Sequence, residues 1–123
     1  MIEIQSRQNA ALKHLARLGR ERKYRRSTGE MLCEGEKMLE EALRSGAVLK
    51  TVLARRGWES EMLREAESRG AALHCAEDAL FRLASEVESP QNVIFSCMQP
   101  QWDAAALDGK EQVLLLDGLQ DPG

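Results

Sequence analysis

Met31-Leu32-Cys33-Glu34-Gly35-Glu36-Lys37-Met38-Leu39-Glu40-Glu41-Ala42-Leu43-Arg44-Ser45-Gly46 changes its hydrophobic rhythm part-way along. The first three residues are a short apolar run of the kind that forms a buried strand, and Glu34-Gly35 makes a tight turn out of it. From Glu36 to Ser45 the apolar residues Met38, Leu39, Ala42 and Leu43 fall at the spacing that gathers them on one helix face. Gly46 stands where a left-handed C-terminal cap belongs. Strand, turn and helix in succession form the unit from which a helix-covered sheet is built.

The same alternation continues downstream. Leu49 to Ala54 reads as a strand, Arg55-Arg56-Gly57 as a loop, and Glu59 to Arg69 as a helix that stops at Gly70. Ala72 to Cys75 is a third strand and Glu77 to Ala84 a short helix. A polar loop over 85–91 leads to a strand from Asn92 to Met98, which Pro100 breaks. Residues 101–111 read as a connector with a helical turn near Ala104 to Leu107, and Val113-Leu114-Leu115-Leu116 as a buried strand opening into the turn-rich Asp117 to Gly123. Upstream, residues 8–26 read as one helix with Leu12, Leu15, Ala16 and Leu18 as its apolar stripe, capped by Ser6 or Asn9 and ended by Ser27-Thr28-Gly29. The order predicts an α/β fold: a three-layer α/β/α sandwich around a mainly parallel sheet.

The 123 residues are about one domain's worth, with 43% hydrophobic and 30% charged side chains. Aromatics are 4%, so the core is expected to be aliphatic. No apolar run is long enough for a membrane helix, and the first residues lack the pattern of a secretory signal. Three widely spaced cysteines, Cys33, Cys75 and Cys97, argue against a disulfide framework and for a reducing, cytoplasmic setting, with each thiol a small buried hydrophobe. His14 and His74 are isolated, and no metal site is expected. No carboxylate pair, Ser-His-Asp set or glycine-rich phosphate loop is evident.

Charge is unevenly distributed. Residues 1–30 hold eight Lys/Arg against three acids, whereas the remainder holds nine against seventeen. Arg20, Arg22, Lys23, Arg25 and Arg26 place five cations within seven residues, with little to pack, so this end of the helix is expected to project from the body. Clustered Lys/Arg neutralises phosphates and releases counterions, which makes the cluster a candidate polyanion grip. Arg7 and Lys13 lie on the same element, and Tyr24 within the cluster is a candidate for stacking on an unpaired base. A solvated helix end with a surface tyrosine is the alternative reading of these residues. Gly35 and Lys37 open the helix that follows the turn, where free amides favour phosphate oxygens; equally, Glu34 is a cap and Gly35 only a turn residue. Gln91 and Asn92 are candidates for reading base edges or ribose hydroxyls, or else close a turn after Pro90. Arg55, Arg56 and Trp58 make a smaller basic-aromatic group.

Several segments together resemble the SpoU (TrmH-like) family of RNA 2′-O-methyltransferases. They are Ser6-Arg7-Gln8-Asn9 with Lys13 and Leu15; Arg22-Lys23-Tyr24-Arg25, Thr28-Gly29 and Met31 to Lys37; Ser89-Pro90-Gln91-Asn92-Val93; and Leu114 to Gly123. The resemblance implies a fold similar to kink-turn-binding ribosomal proteins, with residues 1–108 an RNA substrate-binding domain carrying a basic helical region over 6–28. Residues 109–123 would be a linker and the first strand and loop of a knotted, S-adenosylmethionine-binding methyltransferase domain, which usually dimerises. It implies rRNA or tRNA as partner, with Arg7, Lys13, Arg20, Arg22, Lys23, Tyr24, Arg25, Arg26, Gly35, Lys37, Gln91 and Asn92 as RNA-binding candidates. It implies S-adenosylmethionine as cofactor of the full-length enzyme, with this chain alone binding none and inactive. A stand-alone ribosomal-protein-like RNA-binding module and an unrelated small α/β enzyme remain the competing readings.

Overall fold

Five strands form one sheet in the order β1-β4-β3-β5-β2 in a computed structural model that describes residues 1–88 and 90–99. The strands are β1 (Ile2–Ile4), β2 (Glu30–Glu34), β3 (Leu49–Arg55), β4 (Ala72–Ala76) and β5 (Val93–Met98). The helices are α1 (Ala10–Arg20), α2 (Arg22–Thr28), α3 (Glu36–Ser45), α4 (Glu61–Ser68) and α5 (Asp78–Phe81), the last continued by a 3-10 turn at Arg82–Ala84. The expected strand at 113–116, the helical turn at 104–107 and the turn-rich Asp117 to Gly123 lie outside the described residues.

Two layers of helix cover the two sheet faces, because odd and even strand positions point opposite ways. Val52 and Ala54 of β3 and Val93, Phe95 and Cys97 of β5 join Leu39 and Leu43 of α3 and Leu63 and Ala66 of α4 in one core. Leu53 and Ile94, their alternating neighbours, join Ile4 of β1, Leu12, Leu15 and Leu18 of α1 and Phe81 of α5 in the other. Central β5 is therefore buried on both faces, which explains why Asn92 to Met98 shows no clean alternation. Its one buried polar side chain, Ser96, is satisfied: its Oγ accepts the Thr51 amide at 3.2 Å, at an irregularity in the β3–β5 ladder.

The three-layer sandwich agrees with expectation, but the sheet is mixed rather than mainly parallel. The pairs β1–β4 and β4–β3 are parallel, whereas β3–β5 and β5–β2 are antiparallel. The cause lies between β4 and β5. A parallel return needs a helix that spans the sheet. The four residues of α5 and three of the 3-10 turn cover only about 12 Å at helical rises. The chain therefore re-enters at the end it left, where Val93 pairs with Ala54 and its carbonyl accepts the Gly35 amide at 2.9 Å. Strand β1 was not anticipated: three residues are too few to display a period of two.

The basic N-terminal helix is also not continuous. Glu21 adopts an extended conformation (φ −115°, ψ 108°) and separates α1 from α2. The break falls where the apolar stripe runs out, since the positions that would extend it past Leu18 are arginines. Ending α1 there lets the chain turn and lay Tyr24 against the core instead of carrying it into solvent. The expected projection is thus corrected: α2 folds back over α1 and β2, with Tyr24 and Arg25 half-buried.

Candidate nucleic-acid interface

The α1–α2 layer is positioned from its first residue. Asn9 caps α1, its Oδ1 accepting the amides of Ala11 at 2.8 Å and Leu12 at 3.1 Å. With Leu12, Leu15 and Leu18 buried, helical periodicity turns Lys13, Arg17 and Arg20 outward. In α2 the inward position belongs to Tyr24, which leaves Arg22, Lys23 and Arg26 exposed.

A chain of hydrogen bonds fixes α2 in place. His14 Nε2 lies 2.8 Å from Glu30 Oε1, and Nδ1 lies 2.6 Å from the Tyr24 hydroxyl. A carboxylate accepts only, so Nε2 carries a proton; on a neutral imidazole the Tyr24 hydroxyl then donates to Nδ1. The carbon of the Arg17 guanidinium stands 3.9 Å from the Tyr24 ring centroid, a cation–π arrangement. Arg17 is held over the ring by two bonds to Glu21 Oε1, at 3.2 and 3.0 Å, and the hydrogen bond to Glu21 pushes its pKa up. Arg25 Nη1 donates to the Leu18 carbonyl at 2.6 Å, one of the carbonyls the end of α1 leaves without a helical partner. The Tyr24 hydroxyl is thus engaged, and its ring is packed between Arg17 and the core.

The distribution of ion pairs sets this layer apart. Helices α1 and α2 contain seven Lys/Arg and no acid, whereas α3 and α4 contain six acids and three Lys/Arg. Arg17 pairs with Glu21, and Arg20 with Glu86 at 3.6 Å. Among the described residues, Arg7, Lys13, Arg22, Lys23, Arg25 and Arg26 have no carboxylate within ion-pair distance. Elsewhere most arginines are paired: Arg55 and Arg82 share Asp78, Arg56 meets Glu3 and Glu77, Arg44 meets Glu40, and Arg69 meets Glu65, while the scattered Lys37, Lys50 and Arg64 have no such partner among the described residues. The Arg55-Arg56-Trp58 group is accordingly neutralised, and Trp58 packs against the α3–α4 core.

Gly35, Lys37, Gln91 and Asn92 form a second group, at the start of α3. Gly35 has φ +108°, and a Cβ there would meet Gln91 Oε1 at 2.9 Å. That oxygen accepts the Glu36 amide at 3.1 Å, and Asn92 Nδ2 donates to Glu36 Oε2 at 2.8 Å. Arg55 braces the loop from below, Nη2 donating to the carbonyls of Pro90 and Gln91 at 2.8 Å each. Gly35 occupies a strained turn at the start of α3. The Glu36 amide is taken by Gln91, while Lys37 remains exposed. Glu34 does not cap α3. Its carboxylate accepts Ser85 Oγ and the Glu86 amide, both at 2.7 Å. Since Glu86 also pairs with Arg20, this loop ties the second group to the first.

Sequence reading did not find His14, Arg17, Glu30 and Glu34. Apart from the local Arg17–Glu21 pair, their contacts span 7 to 52 residues, so no local period marks them.

A family model described as the MRM3-like substrate binding domain matches residues 9–94. The chain belongs to that family. The match takes in α1, α2 and the α3 turn, the elements that carry most of the candidate residues. This MRM3-like domain is 33% identical over 123 residues to the 23S rRNA (guanosine(2553)-2′-O)-methyltransferase RlmP of Bacillus subtilis (strain 168). The alignment takes in 100% of this chain and 47% of RlmP, so the chain spans about half the length of that relative. Among solved structures, an RNA 2′-O ribose methyltransferase is 29% identical with a TM-score of 0.68, covering 84% of this chain and 40% of that one. The SpoU methyltransferase AviRb from Streptomyces viridochromogenes, in complex with AdoMet, is 25% identical with a TM-score of 0.62, covering 80% and 38%. An AdoMet-bound rRNA methyltransferase from Sinorhizobium meliloti, at 22% identity, shares the fold with a TM-score of 0.72 over 81% of this chain and 37% of that one. The resemblance to SpoU (TrmH-like) methyltransferases, and to their substrate-binding part, agrees with these matches.

Proposed function

We propose that this chain is the RNA-recognition domain of an rRNA ribose 2′-O-methyltransferase, and that its α1–α2 layer grips the RNA backbone. The observation that carries the reading is the set of six cations gathered at one layer, Arg7, Lys13, Arg22, Lys23, Arg25 and Arg26, without carboxylate partners among the described residues. Massed there, they leave positive charge uncompensated. Phosphates then supply the missing charge, with Arg offering a planar fork for two phosphate oxygens. The role of RlmP, a 23S rRNA methyltransferase, supports ribosomal RNA over transfer RNA as the target.

Methyl transfer to a ribose hydroxyl is an in-line displacement at a sulfonium, in which positioning contributes most. One hollow among the described residues is poorly matched to S-adenosylmethionine. The hollow at the ends of β1 and β4 holds about 280 Å³ and is lined by Glu3, Ile4, Gln5, Arg56, Glu77 and Leu80. Its Arg56 is already paired with both acids, and no aromatic floor is present for an adenine ring. We therefore assign the cofactor and the reacting groups to a separate methyltransferase domain, through which a cytoplasmic homodimer would form, and assign only substrate positioning to this one.

The test is RNA binding measured against salt. Six phosphate contacts would give a log–log slope of affinity on salt of about −5. Replacing Arg22, Lys23 and Arg26 together by Ala should make that slope shallower by about 3, with the circular dichroism spectrum unchanged. An unaltered slope in a folded triple variant would remove α2 from the interface.

A further inference from the structure

Proteins that read single-stranded RNA share a requirement: an aromatic or guanidinium plane with an open face on which an unpaired base can lie. Four aromatic residues lie among those described, and none offers such a face on the cationic side. Phe81 and Phe95 are wholly buried, one in each core. Trp58 belongs to the α3–α4 layer, across the sheet from the cations. Tyr24 is the one aromatic within the cluster. Arg17 covers its ring at 3.9 Å, His14 meets it edge-on with centroids 5.5 Å apart, and the core of the α1 layer packs against it. Arg17 itself is committed, its fork turned to Glu21 through two hydrogen bonds.

What remains exposed is cationic and rigidly held. Arg22, Lys23 and Arg26 recur at helical intervals along α2, and α2 is clamped by the Glu30–His14–Tyr24 chain and by the Arg25 bond to Leu18. A rigid row of charges matches a rigid row of phosphates. A flexible strand would have to give up conformational freedom to meet it and would find no open aromatic face among the described residues in return.

Building on the RNA-recognition role proposed above, we infer that the α1–α2 face takes double-helical RNA, engaging the phosphates of an A-form stem and leaving its bases paired. Tyr24 is a strut that sets the height of α2 above the sheet, and the specificity of this face is for the shape of the helix. An A-form stem suits such a surface because its regular backbone and 2′-hydroxyls are accessible without unstacking.

The experiment uses the whole 123-residue chain and two fluorescein-labelled probes, a 20-base-pair RNA duplex and a 20-nucleotide oligouridine, with fluorescence anisotropy at several salt concentrations. The duplex is expected to bind at least about tenfold more tightly, with a salt slope near −0.9 per contact rather than the −0.7 of single strands. Oligouridine binding as tightly as the duplex, or more so, overturns the inference and leaves RNA recognition intact. If neither probe binds with salt-dependent affinity, the RNA-recognition reading itself is wrong, and this inference goes with it.

Discussion

Replacing Gly35 by Ala should be among the most damaging single-methyl changes in this domain. Gly35 adopts φ +108°, ψ 155°, a region essentially closed to residues with a side chain, where strain is of order 1–3 kcal/mol. The added methyl would also stand 2.9 Å from Gln91 Oε1, closer than any relaxed contact allows. The carboxamide must move, and in moving it gives up the Glu36 amide that it caps, a loss of about 1 kcal/mol. Together the two effects come to about 2–4 kcal/mol, which in a domain of this size lowers Tm by about 10–25 °C. Gly46→Ala is the matched control. Gly46 also has positive φ, +80°, but nothing lies within 4 Å of its missing Cβ, so it should cost only about 1–2 kcal/mol. Urea denaturation of both variants reads the comparison directly. If Gly35→Ala proves no less stable than Gly46→Ala, Gln91 does not cap α3, and the account of this loop is wrong.

Further outcomes can be checked with the same tools. Asn9→Ala should lower stability by about 1 kcal/mol in urea denaturation, because two α1 amides lose their acceptor. Glu34→Ala removes the acceptor of both Ser85 Oγ and the Glu86 amide, and should cost about 1.5–3 kcal/mol. It should also speed hydrogen exchange at the Glu86 amide, and unchanged protection there would count against the anchoring role. Leu15→Ala empties a fully buried position between α1 and the sheet and should cost about 2–5 kcal/mol. Cys33 and Cys97 should react with a thiol reagent only as fast as the protein unfolds. The hydrogen bond between them, then burial, pushes the Cys33 pKa up, while accepting that bond pulls Cys97 down, and both side chains are shut inside the core. Rapid labelling of either thiol in the native protein would contradict that burial.

Where order along the chain reflects order in space, the sequence was readable. The span of α3, the left-handed cap at Gly46 and the apolar β3 appear where hydrophobic spacing put them. Direction was harder. A helix of four residues and one of ten look alike in a string of alternating elements, yet only the longer can carry the chain back across a sheet, and so the reversal of β5 was missed. At the candidate interface, composition located the cations but not their neighbours. Whether Arg20 and Arg22 differ in partners depends on Glu86, more than sixty residues away. The surroundings of Tyr24 were illegible for the same reason, since the groups that hold it come from α1 and β2.

The separation of charge between the helical layers has a dynamic consequence. With cations massed in α1 and α2 and acids in excess in α3 and α4, the domain carries an electric moment directed through its sheet. In the field of a polyanion such a body experiences a torque before any surface touches, and a larger share of collisions arrives right side first. Added salt would confine that alignment to separations below the Debye length of about 10 Å, slowing capture more than it hastens release.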